Sequence, residues 1–598
     1  MTCSGLLNGV RLKLNRVLFR RSKLIPTLVG CLLLMVVVVV VVMRDGNVDG
    51  TYYDEDETFL ETDWPSSRME LERSVYDRPL NETDTNDEYT KKIGNHADTV
   101  LSRKMKSSKQ NEEKANATRG RNQLVAEPER RNHTRADIRN SRASPRWRSY
   151  KEALEACAEN GTRRLIILSL VDEGFIEMAL NFYDVSLKPY RLDMLLFIGL
   201  TYRTCRTLER QGLPCYMYRE MESGRQASLF HSTVFLQKMN IRTDMVLEAL
   251  LLGYTVLHTD LDLTYFADPL EHIPCRGVCD LAALIDQDDY NAGFIFLRPT
   301  NNSIWIYRRM GELAAASPLL DDQDQLTQAI EELENNCINF VVIRLDRGQF
   351  QNGLQYFELA DRTFDGDDEI APCTRCVVVH NNWIVSVEAK IYRFKELHQW
   401  FYDGPQSYYT AVDRKYLLYS NPLRLEDPDE MERLERSALI SALAICQLLN
   451  RTLVLPKFHC YDKDGRGKRC ALNSKFNVAS FDAEFSGHYR EHSFLDHPLV
   501  PERFKSRSGP VFLILTNVTE TYMARVIRKG AIVVMRPKRP GGATPSEILH
   551  WYIMIDSPVL RFHSLYGAFS VFDRPSVRYE FQNKVNNGLK ASTYRQLD

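Results

Sequence analysis

The chain has 598 residues, of which 26% are charged, and its formal net charge is −2. This length allows several domains, and length alone gives an expectation of roughly four. The near-neutral charge leaves no domain-sized basic excess to neutralise a phosphate backbone, which argues against nucleic acid as a partner.

An uncharged and almost wholly apolar segment occupies residues 24–43. At about 1.5 Å per residue such a helix spans roughly 30 Å, enough to cross a bilayer once. Basic residues and no acidic ones precede this segment, and an acidic run follows it. The sequence therefore predicts a cytosolic tail (1–23), a transmembrane signal anchor (24–43) and a single-pass type II protein. A cleaved signal peptide is disfavoured, because no small-residue cleavage site closes the run.

Two features of the remaining chain fit a lumenal or extracellular location. Eleven cysteines follow residue 43, in a compartment where disulfides persist, and the odd number leaves at least one unpaired. Cys446, inside an apolar helical pattern, is the expected free thiol. The close pairs Cys275/Cys279 and Cys373/Cys376 are interpreted as disulfide halves rather than zinc half-sites. Glycan acceptor triplets begin at Asn81, Asn116, Asn132, Asn160, Asn301, Asn450 and Asn517.

The polarity of the chain changes twice after the predicted anchor. Residues 44–160 are highly polar, without sustained apolar periodicity, and are predicted to form a flexible glycosylated stalk. Strand-like and helical patterns alternate over residues 161–412, which predicts a mostly parallel α/β sheet with helices on both faces. A charged, proline-containing stretch then precedes residues 413–598, which are predicted to form a second, smaller α/β domain.

The segment "YTVLHTDLDLTYFADPL" (254–270) places Asp260 and Asp262 one residue apart after a predicted buried strand. Ligands of open α/β sheets bind at the carboxyl ends of the strands. Two buried carboxylates repel each other unless a cation lies between them, and a hard divalent ion would meet that need. The alternative is a solvated turn that contains two aspartates.

Three further motifs occur later in the chain. "DQDDYNAGFIFLRPT" (286–300) contains Asn291, an amide able to bond a sugar hydroxyl, and Gly293, which allows close approach. "DDQDQLTQAI" (321–330) is an acid–amide cluster at a helix start, and "CVVVHNNWIVSVEAKIYRF" (376–394) ends a strand in a histidine. Each motif alone is compatible with an ordinary turn, helix cap or strand end.

Taken together and in this order, the motifs resemble the nucleotide-diphospho-sugar transferase domain of glycosyltransferase family 77. The resemblance covers about residues 163–405 and includes "LNFYDVSLKPYRLDMLLFIGLT", "LLLGYTVLHTDLDLTYFADPL", "NAGFIFLRPT" and "HNNWI" with the basic residues that follow. It implies a GT-A-like fold and a retaining, membrane-anchored Golgi enzyme. The implied donor is a nucleotide-diphosphate sugar and the implied cofactor is Mn²⁺ or Mg²⁺.

The carboxyl-terminal unit is similar to the extension found in some arabinosyltransferase-like members of that family. The similarity lies in "LISALAICQLLNRTLVLPKFHC", Cys470 and "YREHSFL". It implies a pairing of Cys460 with Cys470. The role of the extension is not implied, and we expect it to stabilise the enzyme or position the acceptor.

The resemblance also implies roles for individual residues. A metal would be held by Asp260, Asp262 and His380. The nucleotide sugar would be contacted by Asp260, Gly293, Lys390 and Arg393. The catalytic residues around the sugar would be Asn291, Asp322 and Gln323.

The chain departs from the family pattern in two places. Val385 and Ser386 stand where a glycine usually follows the His-Asn-Asn-Trp stretch, and Thr327 stands where an asparagine is common. The acid–amide pair has a second possible register, Asp324-Gln325. Retention by front-face attack and by a covalent intermediate both remain open.

The expected partners are the nucleotide sugar, a glycan or glycoprotein acceptor and the membrane, with homo- or hetero-oligomers with other transferases as a further option. Two other functions remain open. One is an inactive relative that acts as a lumenal partner or chaperone of another transferase, and the other is an anchored glycan-binding protein.

Overall fold

The computed structural model describes residues 146–159, 164–275, 277–336, 340–359, 373–461, 467–506, 508–520 and 532–592. Residues 133–598 form one compact unit, whereas the predicted tail, the anchor and most of the predicted stalk lie outside the described residues. In the described ranges, no helix has both the length and the apolar character that a membrane crossing requires.

The described strands fall into three sheets and one hairpin. Those of the amino-terminal half are β1 (Leu165–Val171), β2 (Leu195–Gly199), β3 (Cys215–Met217), β4 (Thr255–Thr259), β5 (Leu263–Tyr265), β6 (Leu281–Asp286), β7 (Asp289–Leu297), β8 (Val342–Arg344), β9 (Phe350–Gln351) and β10 (Val378–His380). Those of the carboxyl-terminal half are β11 (Tyr416–Tyr419), β12 (Thr452–Val454), β13 (Phe458–Tyr461), β14 (Gly467–Cys470), β15 (Tyr489–Arg490), β16 (Val511–Ile514), β17 (Ile532–Met535) and β18 (Val559–Phe562).

The described α-helices lie between these strands. They are α1 (Tyr150–Cys157), α2 (Ile176–Phe182), α3 (Tyr202–Arg210), α4 (Thr233–Leu251), α5 (Pro269–His272), α6 (Asn301–Ala316), α7 (Asp322–Asn335), α8 (Val387–Glu396), α9 (Pro428–Leu449), α10 (Val478–Phe485), α11 (Glu502–Lys505), α12 (Asn517–Glu520), α13 (Pro545–Tyr552) and α14 (Pro575–Gly588).

The largest sheet has seven strands in the order β3-β2-β1-β4-β7-β6-β8, and β7 is the strand that runs against the others. Successive residues of β1 enter different apolar clusters, since Ile166 packs with helices α4 and α6 and Ile167 packs with α2 and α3. Both faces are therefore covered by helices, which explains why β1 reads as a continuous apolar run. The predicted mostly parallel α/β sheet is confirmed.

A small three-stranded sheet, β5-β10-β9, lies beside the end of β4. Only three residues separate the end of β4 from the start of β5, so this short connection is held by a strand at each end. β10 pairs antiparallel with β5 and places His380 opposite Leu263. This sheet was not predicted as such, because β5 and β9 are too short for their sequence patterns to identify them.

The carboxyl-terminal half contains a six-stranded sheet in the order β15-β12-β11-β18-β16-β17, and all of its pairings are parallel. Helices α9, α10 and α13 contribute to the apolar cluster around it. The β13–β14 hairpin is closed by a disulfide between Cys460 and Cys470, as the resemblance implied.

The other described cysteines largely follow the prediction. Cys275 pairs with Cys279 and Cys373 with Cys376, so each close pair is a disulfide of its own. Cys446 is buried and free. The described residues also contain a disulfide between Cys205 and Cys215 and a free, half-buried thiol at Cys157.

Helix α1 corrects the predicted extent of the stalk. Tyr150, Ala153 and Leu154 are buried, and the Tyr150 hydroxyl donates a hydrogen bond to the Met245 carbonyl at 3.1 Å. The predicted stalk includes residues 150–157, because residues 44–160 as a whole are highly polar and lack sustained apolar periodicity. They belong instead to the packed core of the seven-stranded sheet.

Candidate active site

Asp260 and Asp262 lie at the carboxyl end of β4, near the middle of the seven-stranded sheet. The amide of Asp260 donates to the Gly293 carbonyl at 2.8 Å, which fixes the chain against β7. Asp262 is almost fully buried, whereas the side chain of Asp260 keeps 32% exposure. Solvent therefore reaches this pair of carboxylates from the side of Asp260.

His380 completes this cluster from the small sheet. Its Nε2 lies 3.3 Å from Asp262 Oδ1 and 3.8 Å from Asp260 Oδ2. One potential ligand atom from each of the three side chains lies within 4.8 Å of the others. The pairing of β10 with β5 produces this contact, since His380 faces Leu263 and the Asn381 amide donates to the Asp262 carbonyl at 2.8 Å.

Gly293 leaves the room that the cluster occupies. A Cβ atom at this position would lie 2.6 Å from both Asp260 Oδ2 and His380 Cε1. Any larger residue would therefore displace two of the three potential ligands. The absence of a side chain at Gly293 therefore makes room for the ligand set, and its predicted contact with the nucleotide sugar stays a prediction.

Asn291 determines which nitrogen of His380 faces the aspartates. Asn291 Oδ1 accepts the Gly293 amide at 2.9 Å, and its Nδ2 donates to Asp286 Oδ2 at 3.3 Å, so the amide orientation is set. His380 Nδ1 lies 3.1 Å from the same Oδ1 and must therefore donate its proton there. The neutral ring then turns the lone pair of Nε2 toward the carboxylates.

That arrangement fits a divalent cation. Without one, burial disfavours the imidazolium, but Asp262 and Asp260 outweigh burial and raise the pKa of His380 above its ordinary value. Two carboxylates and an imidazole of fixed tautomer form a ligand set suited to Mn²⁺ or a similar ion.

Lys390 adds a fixed positive charge at the edge of the cluster. Its Nζ donates to Asp262 Oδ2 at 2.7 Å, and its side chain is 21% exposed. Burial alone would raise the pKa of Asp262, but Lys390 and His380 lower it well below its usual value. Asp262 is therefore held as a carboxylate, and Lys390 is within reach of an anion at the same place.

Arg242, on helix α4, was not predicted from the sequence. It connects the aspartate pair to the acid–amide pair. Its Nη1 lies 2.5 Å from Asp260 Oδ1, and its Nη2 contacts Asp322 Oδ2. The residue is buried, so its charge is held between two carboxylates rather than in water. The sequence feature that could have identified Arg242 is an arginine that interrupts the apolar pattern of a buried helix.

The structure also separates the two registers of the acid–amide pair. Asp322 is buried against Arg242, and Gln323 Oε1 accepts from Asn291 Nδ2 at 3.2 Å. Asp324 is exposed, and Gln325 donates to the Leu320 carbonyl at 2.8 Å. The site therefore brings together Asp322 and Gln323, whereas Asp324 and Gln325 lie two residues further along α7, about half a turn around the helix.

Asp286 is a second residue missed by the sequence analysis. At the carboxyl end of β6, its two oxygens accept four side-chain hydrogen bonds, whose donor distances run from 2.7 to 3.3 Å. These donors connect β7 to the loop that follows His380. They are Asn291, Asn352, Asn382 and Trp383.

Arg393 lies behind this loop, where its described contacts are with the protein. Its Nη1 donates to Asn381 Oδ1 at 3.3 Å and to the Asn382 carbonyl at 3.2 Å, and its guanidinium lies 4.2 Å from the Phe357 ring centre. The residue is buried. Its predicted contact with phosphate stays a prediction.

Comparisons with known proteins match the part of the chain that contains this site. Residues 191–394 match the nucleotide-diphospho-sugar transferase family. A UDP-D-xylose:L-fucose alpha-1,3-D-xylosyltransferase of Arabidopsis thaliana is 24% identical over 45% of this chain and 78% of its own length. An Arabidopsis thaliana arabinosyltransferase is 24% identical over 74% of this chain and 76% of its own. A beta-arabinofuranosyltransferase of the same plant is 27% identical over 40% of this chain, which spans about half (48%) of that relative.

The matched segment contains the whole cluster, from Arg242 through the two aspartates to Lys390. Because that segment builds the site and the relatives are named as sugar transferases, residues 191–394 form a nucleotide-diphospho-sugar transferase domain and the protein is a glycosyltransferase.

Proposed function

We propose that this glycosyltransferase is metal dependent and retaining, and that it transfers its sugar to a glycan or glycoprotein acceptor in the Golgi lumen. The observation that carries the metal dependence is the cluster of Asp260, Asp262 and His380, which Gly293 leaves room for and Asn291 orients. When bound there, a divalent ion would supply Lewis-acid stabilisation to a departing diphosphate.

The side chains of the site then have distinct tasks. In the transfer, the bond between the anomeric carbon and the diphosphate oxygen breaks, and its electron pair leaves with the nucleoside diphosphate. An acceptor hydroxyl forms the new bond to that carbon, and its proton leaves with the nucleoside diphosphate. Lys390 would offset the negative charge of the leaving group. Asp322 and Gln323 would face the sugar, with Arg242 paired to the side chain of Asp322.

Location and stereochemistry are supported by other features. The apolar segment 24–43 with its basic flank and the four described disulfides fit a type II protein of the secretory pathway. Digestion of the carboxyl-terminal part from the cytosolic side of intact microsomes would contradict this topology. Retention rests on the family resemblance, and analysis of the product anomer by NMR tests it.

The donor is proposed to be a UDP sugar, because the similar plant xylosyltransferase is named for UDP-xylose. A screen of UDP-xylose, UDP-arabinofuranose, UDP-galactose and GDP sugars against the purified chain tests this. An inactive relative of the kind considered above would release no nucleotide from any of them.

Titration of UDP with and without Mn²⁺ tests the metal site directly. Asp262→Asn keeps the shape of the side chain but removes a charge, so we expect Mn²⁺-dependent UDP affinity to fall by roughly tenfold or more. His380→Ala should fall less, because water can replace one neutral ligand. Asp288→Asn, an exposed carboxylate on the same edge of the sheet, is the matched control and should bind like wild type. Equal affinity in every protein, with or without metal, would refute the proposed site.

A further inference from the structure

Helix α8 is shared between the transferase domain and the carboxyl-terminal half. Lys390 extends from it to Asp262. Ala389 and Tyr392 lie in the apolar cluster of the six-stranded sheet, with partners such as Leu472 and Phe481. The helix that carries the positive charge of the site is therefore packed into the core of the other half.

The middle of α8 contacts two elements of the carboxyl-terminal half, namely α10 and the short turn Leu472–Ser474. Tyr392 is buried, and its hydroxyl accepts a hydrogen bond from the Leu472 amide at 3.4 Å. A tyrosine packed on an apolar core with a bonded hydroxyl resists rotation of the helix about its axis. Such a rotation would move Lys390 away from Asp262.

The end of α8 is held by residues that follow strand β15. Glu396 is buried, and its carboxylate pairs with Nδ1 of His492. Ser493 Oγ donates to the Lys395 carbonyl at 3.4 Å, and the Ser493 carbonyl lies 2.9 Å from His398 Nε2. A buried carboxylate is costly without a partner, so the His492 contact fixes where this end of the helix lies.

The same helix also holds the loop that follows His380. Asn381 Nδ2 donates to the Lys390 carbonyl at 2.9 Å, and Arg393 donates to Asn381 and to the Asn382 carbonyl. The helix that carries Lys390 is therefore also bonded to this loop.

We propose that the carboxyl-terminal half contributes to binding of the donor. Its residues Leu472, His492 and Ser493 are positioning residues that hold helix α8, and the helix in turn places Lys390 against the diphosphate. The inference rests on the proposed function, since it requires a nucleotide diphosphate beside Lys390. It assigns to the extension a role in donor binding in addition to the stability or acceptor positioning expected from the sequence.

A double-mutant cycle on the full-length chain tests this, with UDP plus Mn²⁺ as the ligand in titration calorimetry. Lys390→Ala removes a charged hydrogen-bond donor and should weaken UDP binding by about tenfold. His492→Ala should weaken it by roughly three- to tenfold in the wild-type background, and by less than about twofold when Lys390 is already alanine. His492→Gln can still donate to Glu396 and should restore most of the affinity.

Ile548→Val is the control for stability, because Ile548 lies in the same apolar cluster but on helix α13, not on α10 or the Leu472–Ser474 turn that contact α8. It should lower the midpoint of thermal unfolding while leaving UDP affinity unchanged.

The inference is tested by itself when wild type binds UDP with Mn²⁺ and Lys390→Ala weakens that binding. It is then overturned if His492→Ala lowers UDP affinity equally in both backgrounds. It is also overturned if His492→Ala does not lower UDP affinity in the wild-type background. Absence of Mn²⁺-dependent UDP binding in wild type would instead refute the proposed function, and the inference with it.

Discussion

At the scale of single residues, Ser386 has a strained backbone in the loop after His380, where a glycine is usual in the family. Its backbone has φ 84° and ψ 148°, a conformation that is essentially restricted to glycine. The side chain partly compensates, because it caps helix α8 by accepting the Ala389 amide at 3.2 Å. The neighbouring Val385 is 50% exposed, so the departure from the family pattern strains the backbone at Ser386 rather than crowding a core.

Ser386→Gly should therefore stabilise the protein by about 1 kcal/mol. Relief of the backbone strain contributes roughly 1–3 kcal/mol, whereas replacing a serine cap with glycine costs a few tenths. Urea unfolding measures the change in the free energy of unfolding.

Ser232→Gly is the matched control, since Ser232 caps helix α4 by the same kind of hydrogen bond but has an ordinary φ of −69°. It should lose stability. A loss in both variants would show that Ser386 is not strained.

At the scale of secondary-structure elements, the site depends on the close approach of β7, β10 and the end of β4. Gly293→Ala places a methyl group 2.6 Å from atoms of both Asp260 and His380. We expect Mn²⁺-dependent UDP affinity to fall by roughly tenfold while the fold survives, because the φ of Gly293 lies outside the region that favours glycine.

Gly311→Ala on helix α6 provides the comparison, since its Cβ meets no atom within 4 Å. It should bind UDP normally and gain stability from better helix propensity, by roughly 0.5–1 kcal/mol. Normal UDP binding by Gly293→Ala would mean that the cluster has more room than the structure shows.

At the scale of the whole molecule, the two halves share a core. Ile384, Ala389 and Tyr392 pack with residues beyond 415, so a chain that ends near residue 412 would expose this apolar surface. We expect poor soluble yield from it. A chain that starts near residue 145 keeps helix α1 and should fold and retain activity. Good yield and full activity from the chain ending near 412 would show that the two halves are independent.

The molecule should also lose stability in mild acid through His497. This buried ring stacks on Tyr409 with centroids 3.9 Å apart. Burial lowers its pKa to about 4, with His398 and Lys505 acting in the same direction and Asp403 opposing them. The unfolded chain binds a proton near pH 6.5 and the folded chain does not, so stability falls as the pH drops from 6.5 toward 4.

Between pH 7 and pH 5 the expected loss from His497 is roughly 1–2 kcal/mol. His497→Asn should lose less over the same interval. Urea unfolding at both pH values compares the two proteins, and identical losses would contradict this assignment.

The sequence by itself determined the alternation of strands and helices, the Asp-x-Asp motif after a buried strand and the closing histidine. These features are local, because apolar periodicity and strand-end chemistry extend over a few residues. The role of Lys390 came instead from the family resemblance, through the basic residues that follow "HNNWI".

Only the tertiary structure decided which of these residues meet. Arg242 and Asp286 act through partners tens of residues away in the chain, so no local pattern could assign their roles. The register of Asp322 and Gln323 depended on the guanidinium of Arg242, and the position of Lys390 depended on a helix packed against the carboxyl-terminal half. Contacts between distant segments follow from how sheets and helices pack, which the order of residues in any one motif does not express.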